Sequence, residues 1–147
     1  MLKKKKSKLL IGRYDIVDFP KLELLDIDIK IDSGAYTSSF HCSEIEEVND
    51  VLKCRFLDPE HEQYHKKYFT FKNYKQKIIK SSNGMTEKRF LIKTEILLFE
   101  EIYTIELSLT ERGSMKFPVL LGRKFLSHKF VIDSAKKNLS FKNKKIK

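Results

Sequence analysis

A chain of 147 residues with 41% hydrophobic residues, eleven Phe and six Tyr holds enough apolar material for one ordinary core and excludes disorder along its whole length. The net charge of +10 sits at the ends: nine lysines within residues 3–8 and 142–147 leave only +1 over residues 9–141. A nucleic-acid groove needs basic residues spread over a folded face, so nucleic acid is expected at most as a weak contact of these tails.

The chain therefore divides into a basic tail (1–9), one folded domain (10–141) and a second basic tail (142–147). The lysine-rich start followed by LLIG is too short in its apolar part for a signal peptide, and Arg13 and Asp15 follow at once. Apolar runs such as ILLF and VLL are far too short to span a bilayer, so a cytoplasmic protein with no membrane partner is expected.

In LLDIDIKID, Leu25, Ile27, Ile29 and Ile31 alternate with Asp26, Asp28, Lys30 and Asp32, which predicts a half-buried strand. Residues 51–58 and 67–74 read as further strands, with DPEHEQYHKKY between them as a short helix capped by Asp58 and opened by Pro59. Cys42 and Cys54 form no CxxC pair and predict two reduced thiols. Two strand-like runs follow, joined through Asn83-Gly84, a strong hairpin signal. In EIYTIELSLTE, Ile102 leads into the inward set Tyr103, Ile105, Leu107 and Leu109. FPVLL reads as a buried strand ending at Gly122, and the residues after that glycine as a second short helix. The sum is an all-β domain with at most one or two short helices.

Three motifs could carry chemistry. Asp32-Ser33-Gly34-Ala35 places a carboxylate at the end of a buried strand, with a glycine that allows close backbone approach. Two such loops in contact would bring two carboxylates to one site. They would share a proton and act as general acid and base on a water. The near-repeat Asp133-Ser134-Ala135 lacks the glycine and has only 14 residues after Asp133, so it predicts a structural turn between FVI and LSF. HEQYH (His61, Glu62, His65) fits the HExxH pattern of zinc peptidases and is the alternative source of catalysis, although no third ligand is evident beyond Glu87 at a tolerable distance downstream. No G-x-x-x-x-G-K-[ST] is present, so any ATP dependence would need a partner.

KIDSGAYTSSFH, KSSNGMTEKRFLI, IELSLTERGSMKFPVLLGR and FVIDSAKKNLSF together resemble the retropepsin-like aspartic peptidases. They most resemble the bacterial and archaeal family labelled ATP-dependent zinc protease, which is associated with ATP-grasp ligases that add glutamate to a ribosomal protein. The resemblance implies a closed β-barrel with one lobe per chain. It also implies a homodimer hydrolysing a peptide or isopeptide bond of a peptide or protein substrate, without a cofactor. Asp32 would be the catalytic residue of each chain. Ser33, Gly34, Ala35 and Thr37 would support the dyad loops, Ser81, Ser82, Asn83 and Gly84 would form the flap, and Leu121, Gly122 and Arg123 would brace the site from below. The family's usual arginine after the DSGA tetrapeptide is Tyr36 here, which weakens the implied preference for an acidic substrate. The resemblance also admits a silent peptidase-like module that binds an ATP-grasp partner.

Overall fold

The period-two pattern around Ile27 folds as β3 (Leu24–Ile31), the strand that carries Asp32 at its end. It lies in a computed structural model that describes residues 7–80, 83–111 and 116–145. The strands before it are β1 (Leu9–Ile11) and β2 (Tyr14–Phe19), and a 3-10 turn at Pro20–Leu22 leads into it. After it come β4 (Ser38–Val48), β5 (Val51–Phe56), β6 (Phe69–Phe71), β7 (Lys75–Lys80), β8 (Thr86–Leu98), β9 (Glu101–Thr110), β10 (Val119–Leu121) and β11 (Phe130–Ile132). Two short helices complete the chain, α1 (Arg123–Leu126) and α2 (Leu139–Lys145).

Pairing runs β10-β3-β2-β8-β9-β4, and β4 pairs back onto β10. That return closes a six-strand barrel, so the expected all-β closed barrel is the architecture adopted. β5 and β6 extend the sheet beyond β4, and β7 extends it beyond β8. β1 and β11 form a separate parallel pair, which draws Leu9 out of the expected N-terminal tail and sets it opposite Phe130. Among the described residues no helix is long and apolar enough to cross a membrane.

Ile27, Ile29, Ile96, Leu107 and Leu121 are fully buried in the barrel. Phe19, Phe40 and Phe56 cross it as a ladder with ring centroids 5.0 and 4.8 Å apart. Such tilted aromatic contacts add about 0.5–1.5 kcal/mol each beyond their buried area. Cys42 and Cys54 are free and buried. Burial, followed by the neighbouring Cys54, pushes the Cys42 thiol well above its ordinary range, which keeps it unreactive.

Four details differ from the sequence reading. Leu25 is 58% exposed and Leu24 takes the inward place, because the β2–β3 ladder slips between Val17 and Phe19 and Asp26 turns to φ +53. The expected helix after Asp58 is absent. Only i→i+3 bonds form there (His61 N–H to Asp58 O, 2.9 Å; Tyr64 N–H to His61 O, 3.0 Å), giving two turns that bring Tyr64 and the His65 ring against the core. Asp133 does start a turn, but LSF after it enters α2 and not a strand. The lysines expected in a C-terminal tail begin inside that helix, docked on β2 by two buried aspartates. Asp15 accepts the N–H groups of Ser140 (2.9 Å) and Phe141 (3.1 Å), and Asp18 pairs with Lys144 at 3.2 Å. Burial raises the Asp15 carboxyl above its usual range, and the backbone donors pull it partly back.

The β7–β8 hairpin is tied to the barrel through Glu47 at the end of β4. Its carboxylate accepts from the Tyr74 hydroxyl, the Gln76 amide and Lys88, the last at 3.1 Å. The Tyr74 contact, then Lys88, holds Glu47 below the ordinary carboxylate range, and the same contact pushes Tyr74 up to about 12. Glu47→Ala is expected to speed amide exchange in β7 on the order of tenfold while leaving β3 and β9 at parent rates. Equal exchange in β7 would show that the strand ladder alone holds the hairpin.

Candidate active site

β10 lies parallel to β3, with Val119 opposite Ile29 and Leu121 opposite Ile31. The ladder extends one step further, from Asp32 N–H to Leu121 O at 2.9 Å. The chain then leaves the sheet. Asp32 O accepts Ala35 N–H at 3.1 Å, and the Asp32 carboxylate Oδ1 accepts Gly34 N–H at 3.1 Å. This is an Asx turn closed inside a β-turn, and it fixes one carboxylate oxygen with a backbone donor. The second IDS segment repeats the geometry: Ala135 N–H reaches Asp133 Oδ1 at 3.0 Å and Lys136 N–H reaches Asp133 O at 3.1 Å. The tetrapeptide makes the same turn twice, so its surroundings must distinguish the copies.

The surroundings of Asp32 come from the segment after β10. A new helix leaves its first N–H groups without intrahelical partners. In α1 the donors of Arg123 and Lys124 go to the carbonyls of Ala35 (2.8 Å) and Tyr36 (2.9 Å). Gly122 N–H goes to the buried Ser38 hydroxyl at 2.9 Å. A Cβ on Gly122 would stand 2.6 Å from Tyr36 O and 2.8 Å from Thr37 C and O, so the close approach needs glycine. The Arg123 side chain reaches around the loop: its Nη1 donates to Ser33 O at 2.9 Å, and its guanidinium sits 5.8 Å from the Tyr36 ring centroid. Leu121, Gly122 and Arg123 thus stand against residues 32–37. Asp133 has a backbone counterpart of this platform: its N–H bonds Ile11 O at 2.9 Å, Arg13 N–H bonds Lys136 O at 2.8 Å, and a Cβ on Gly12 would stand 2.3 Å from Lys136 O. What marks the first copy is the Arg123 side chain on Ser33 O and the pocket that Asp32 lines, whereas the chain after Asp133 turns into α2.

Asp32, Ala35 and Thr37 line a pocket of about 240 Å³ together with Ser39, Arg89, Ser108 and Thr110. Arg89 and the buried Ser38 were not singled out in the sequence. Ser38 lies in a run of small polar residues with no distinguishing spacing, whereas Arg89 occupies the same face of β8 as Leu91 and could have been found by counting from the Asn83-Gly84 turn. The hairpin expected there is present, with Gly84 at φ +85 and Met85 N–H bonded to Asn83 Oδ1 at 3.2 Å. Ser81 and Ser82 lie outside the described residues.

The HEQYH residues are not brought together as ligands. His61 Nδ1 accepts from Gln63 N–H at 3.0 Å, His65 Nε2 lies 3.3 Å from Leu22 O, and Glu62 is exposed in the turn. Two turns in place of a helix remove the shared face that the spacing i, i+4 requires. Among the described residues no group of three His, Cys, Asp or Glu side chains could hold a metal. His41 is buried with Nε2 2.7 Å from Asp58, an internal pair.

Sequence comparison gives this arrangement a family. A model described as "RimB-like: Retropepsin-like aspartic endopeptidase RimB" matches residues 10–143. The chain belongs to the RimB-like retropepsin family. Relatives include probable alpha-L-glutamate ligases of Desulfotalea psychrophila (32% identical over 88% of this chain) and Shewanella pealeana (33% over 86%). This RimB-like chain spans only 29% of the length of either ligase. A crystal structure of Lpg0085, a Legionella pneumophila protein of unknown function, superposes with a TM-score of 0.65 at 23% identity, over 91% of this chain and 99% of that one. That likeness supports the fold and nothing finer.

Proposed function

We propose that the chain is one half of an aspartic peptidase whose second carboxylate is Asp32 of a second copy, and that it cleaves peptide or isopeptide bonds in glutamate-containing chains. The observation that carries the dimer is Gly34. Its φ lies outside the left-handed region, it is exposed, and a Cβ there would meet only Asp32 Oδ1, at 3.3 Å. Among the described residues nothing else within one protomer stands where a Cβ on Gly34 would go, so we take the demand for glycine to come from a surface outside the chain. A second Asp32 loop crossing a two-fold axis is such a surface.

In that dimer one carboxylate keeps a proton and the other is ionised. The ionised carboxylate takes a proton from a water between them as its oxygen attacks the scissile carbonyl carbon. The protonated carboxyl gives its proton to the carbonyl oxygen. Collapse of the tetrahedral intermediate breaks the C–N bond, and the nitrogen leaves with the proton taken from water. The carboxylate that had given its proton to the carbonyl oxygen takes one back from the diol, which restores the dyad. Gly34 N–H and the Leu121 carbonyl hold Asp32 in place throughout, so little reorganisation accompanies the reaction. The names of the matched ligases support glutamate chains as substrate and an ATP-grasp ligase as functional partner.

Mixing parent and Asp32→Asn protomers before assay tests the shared dyad. Activity is expected to follow the square of the parent fraction. A linear dependence would show that each chain works alone and would overturn the cross-dimer site.

A further inference from the structure

The Asp32 pocket is the first of three along one face of β8 and β9. In that ladder Leu91 lies opposite Ser108 and Lys93 opposite Glu106. Arg89, Leu91 and Lys93 alternate onto the same face of β8, and Thr110, Ser108, Glu106 and Thr104 share the matching face of β9. Arg89, Ser108 and Thr110 line the Asp32 pocket. Leu91, Lys93 and Glu106 line the next, of about 500 Å³, with Lys72 and Lys75. Lys93, Thr104 and Glu106 continue into a third, of about 240 Å³, with Lys124 and Lys129. Same-face positions on a strand are about 6.8 Å apart, so the row from Thr110 to Thr104 runs about 20 Å, the length of roughly six extended residues.

The charge along this row is one-sided. Five lysines surround a single carboxylate in the second and third pockets. That carboxylate, Glu106, is only 12% exposed and lies 2.8 Å from Lys124 Nζ and 3.4 Å from Lys75 Nζ. The Lys124 contact holds Glu106 below the ordinary carboxylate range and pushes Lys124 up in turn. Lys72 and Lys93 have no ion-pair partner among the described residues, and Arg89, whose Nη2 lies 3.5 Å from Glu87, keeps its Nε buried without a hydrogen-bond partner. The row is positive beyond what its own acid neutralises, and that acid demonstrates which group the lysines accept.

We propose that this row is a charge-reading subsite leading out of the catalytic pocket, in which Lys75, Lys93 and Lys124 take successive carboxylates of an acidic peptide segment and set the enzyme's selectivity. Glu106 is the internal counter-ion that keeps Lys75 and Lys124 in place when the subsite is empty. The inference rests on the peptidase reading for its direction, since the row starts at Asp32. A peptide is favoured over RNA because the seated group is a carboxylate, held by lysine points and not by a stacking platform.

Two measurements separate this proposal from the reading it rests on. The first is binding of fluorescein-labelled hexaglutamate to the full chain carrying Asp32→Asn, with and without Lys75→Met, Lys93→Met and Lys124→Met together. Each exposed pair is worth about 1.5–5-fold, so the triple variant is expected to bind about 3–100-fold more weakly and with a shallower salt dependence. Glu106→Gln is expected to tighten binding. The second is the kcat/KM ratio for matched peptides carrying six Glu or six Gln beside the scissile bond, which is expected to fall toward one in the triple variant. Cleavage by the parent with hexaglutamate binding insensitive to the lysines would overturn the subsite and leave the peptidase standing. Lysine-dependent binding by a chain that cleaves nothing would sustain the subsite and remove the peptidase. Tighter lysine-dependent binding of an RNA of equal charge would also overturn it.

Discussion

Asp32→Asn is expected to lower kcat/KM for peptide cleavage by at least ~10⁴-fold, while the thermal midpoint and the dimer mass stay at parent values. General acid–base catalysis contributes about 10²–10⁴-fold per positioned group, and in a homodimer one substitution removes both groups. The fold should not notice. An asparagine keeps a side-chain oxygen where Oδ1 accepts Gly34 N–H, and the Asp32 N–H bond to Leu121 O does not involve the side chain. Replacing two carboxyls that compete for one shared proton by neutral amides would, if anything, ease dimerisation. Full activity in this variant would overturn the assignment of Asp32. A lower melting point with proportionate loss of activity would also count against it, because it would place Asp32 in the scaffold.

The barrel was legible in sequence where one face of a strand is buried and the other is wet. β3 and β9 announce themselves in this way, since Ile27, Ile29 and Ile31 and then Ile105, Leu107 and Leu109 alternate with polar residues. β2 was not legible, because Asp15 and Asp18 are buried to dock α2 and break the expected polarity. β4 was missed for a related reason: its second half carries Glu44, Glu46 and Glu47, although Asn49-Asp50, at φ +50 and +61, forms the two-residue turn to β5. The β8–β9 turn uses Phe99 and Glu100 at positive φ, and Phe99 carries no turn signature. The helix read at HEQYH failed because local spacing was weighed without the core that draws Tyr64 inward. At the site itself, Asp32 stood out by its own motif, whereas the roles of Gly122 and Arg123 were found through the resemblance. Periodicity alone does not connect segments about ninety residues apart, as the Ser33–Arg123 contact does. Arg89 and the lysine row were hidden because the lysines that stand out in the sequence are those at the two ends.

Gly122→Ala tests the close backbone contact beneath the Asp32 loop. The added Cβ would meet backbone atoms of Tyr36 and Thr37 at 2.6–2.8 Å, and backbone has no rotamer by which to withdraw. The two strands of contact cannot simply separate, because Ala35 O and Tyr36 O are held by Arg123 N–H and Lys124 N–H. A loss of about 1–3 kcal/mol in stability is expected, the range for overpacking in a closed site. The larger effect should be on chemistry. A displacement of about 1 Å in a catalytic group can cost ~10²-fold in rate, so kcat should fall by that order even at temperatures where the variant is fully folded. Ser38→Ala is the matching control. It removes the acceptor of Gly122 N–H without adding volume, which costs about 1–3 kcal/mol for a buried unsatisfied donor. Both variants should melt earlier than the parent, but only the alanine at 122 pushes the Asp32 loop off its platform. If kcat per folded molecule falls equally in the two, the loop depends on the Ser38 hydrogen bond as much as on the space beneath it, and the close approach at Gly122 is not what fixes the Asp32 carboxylate.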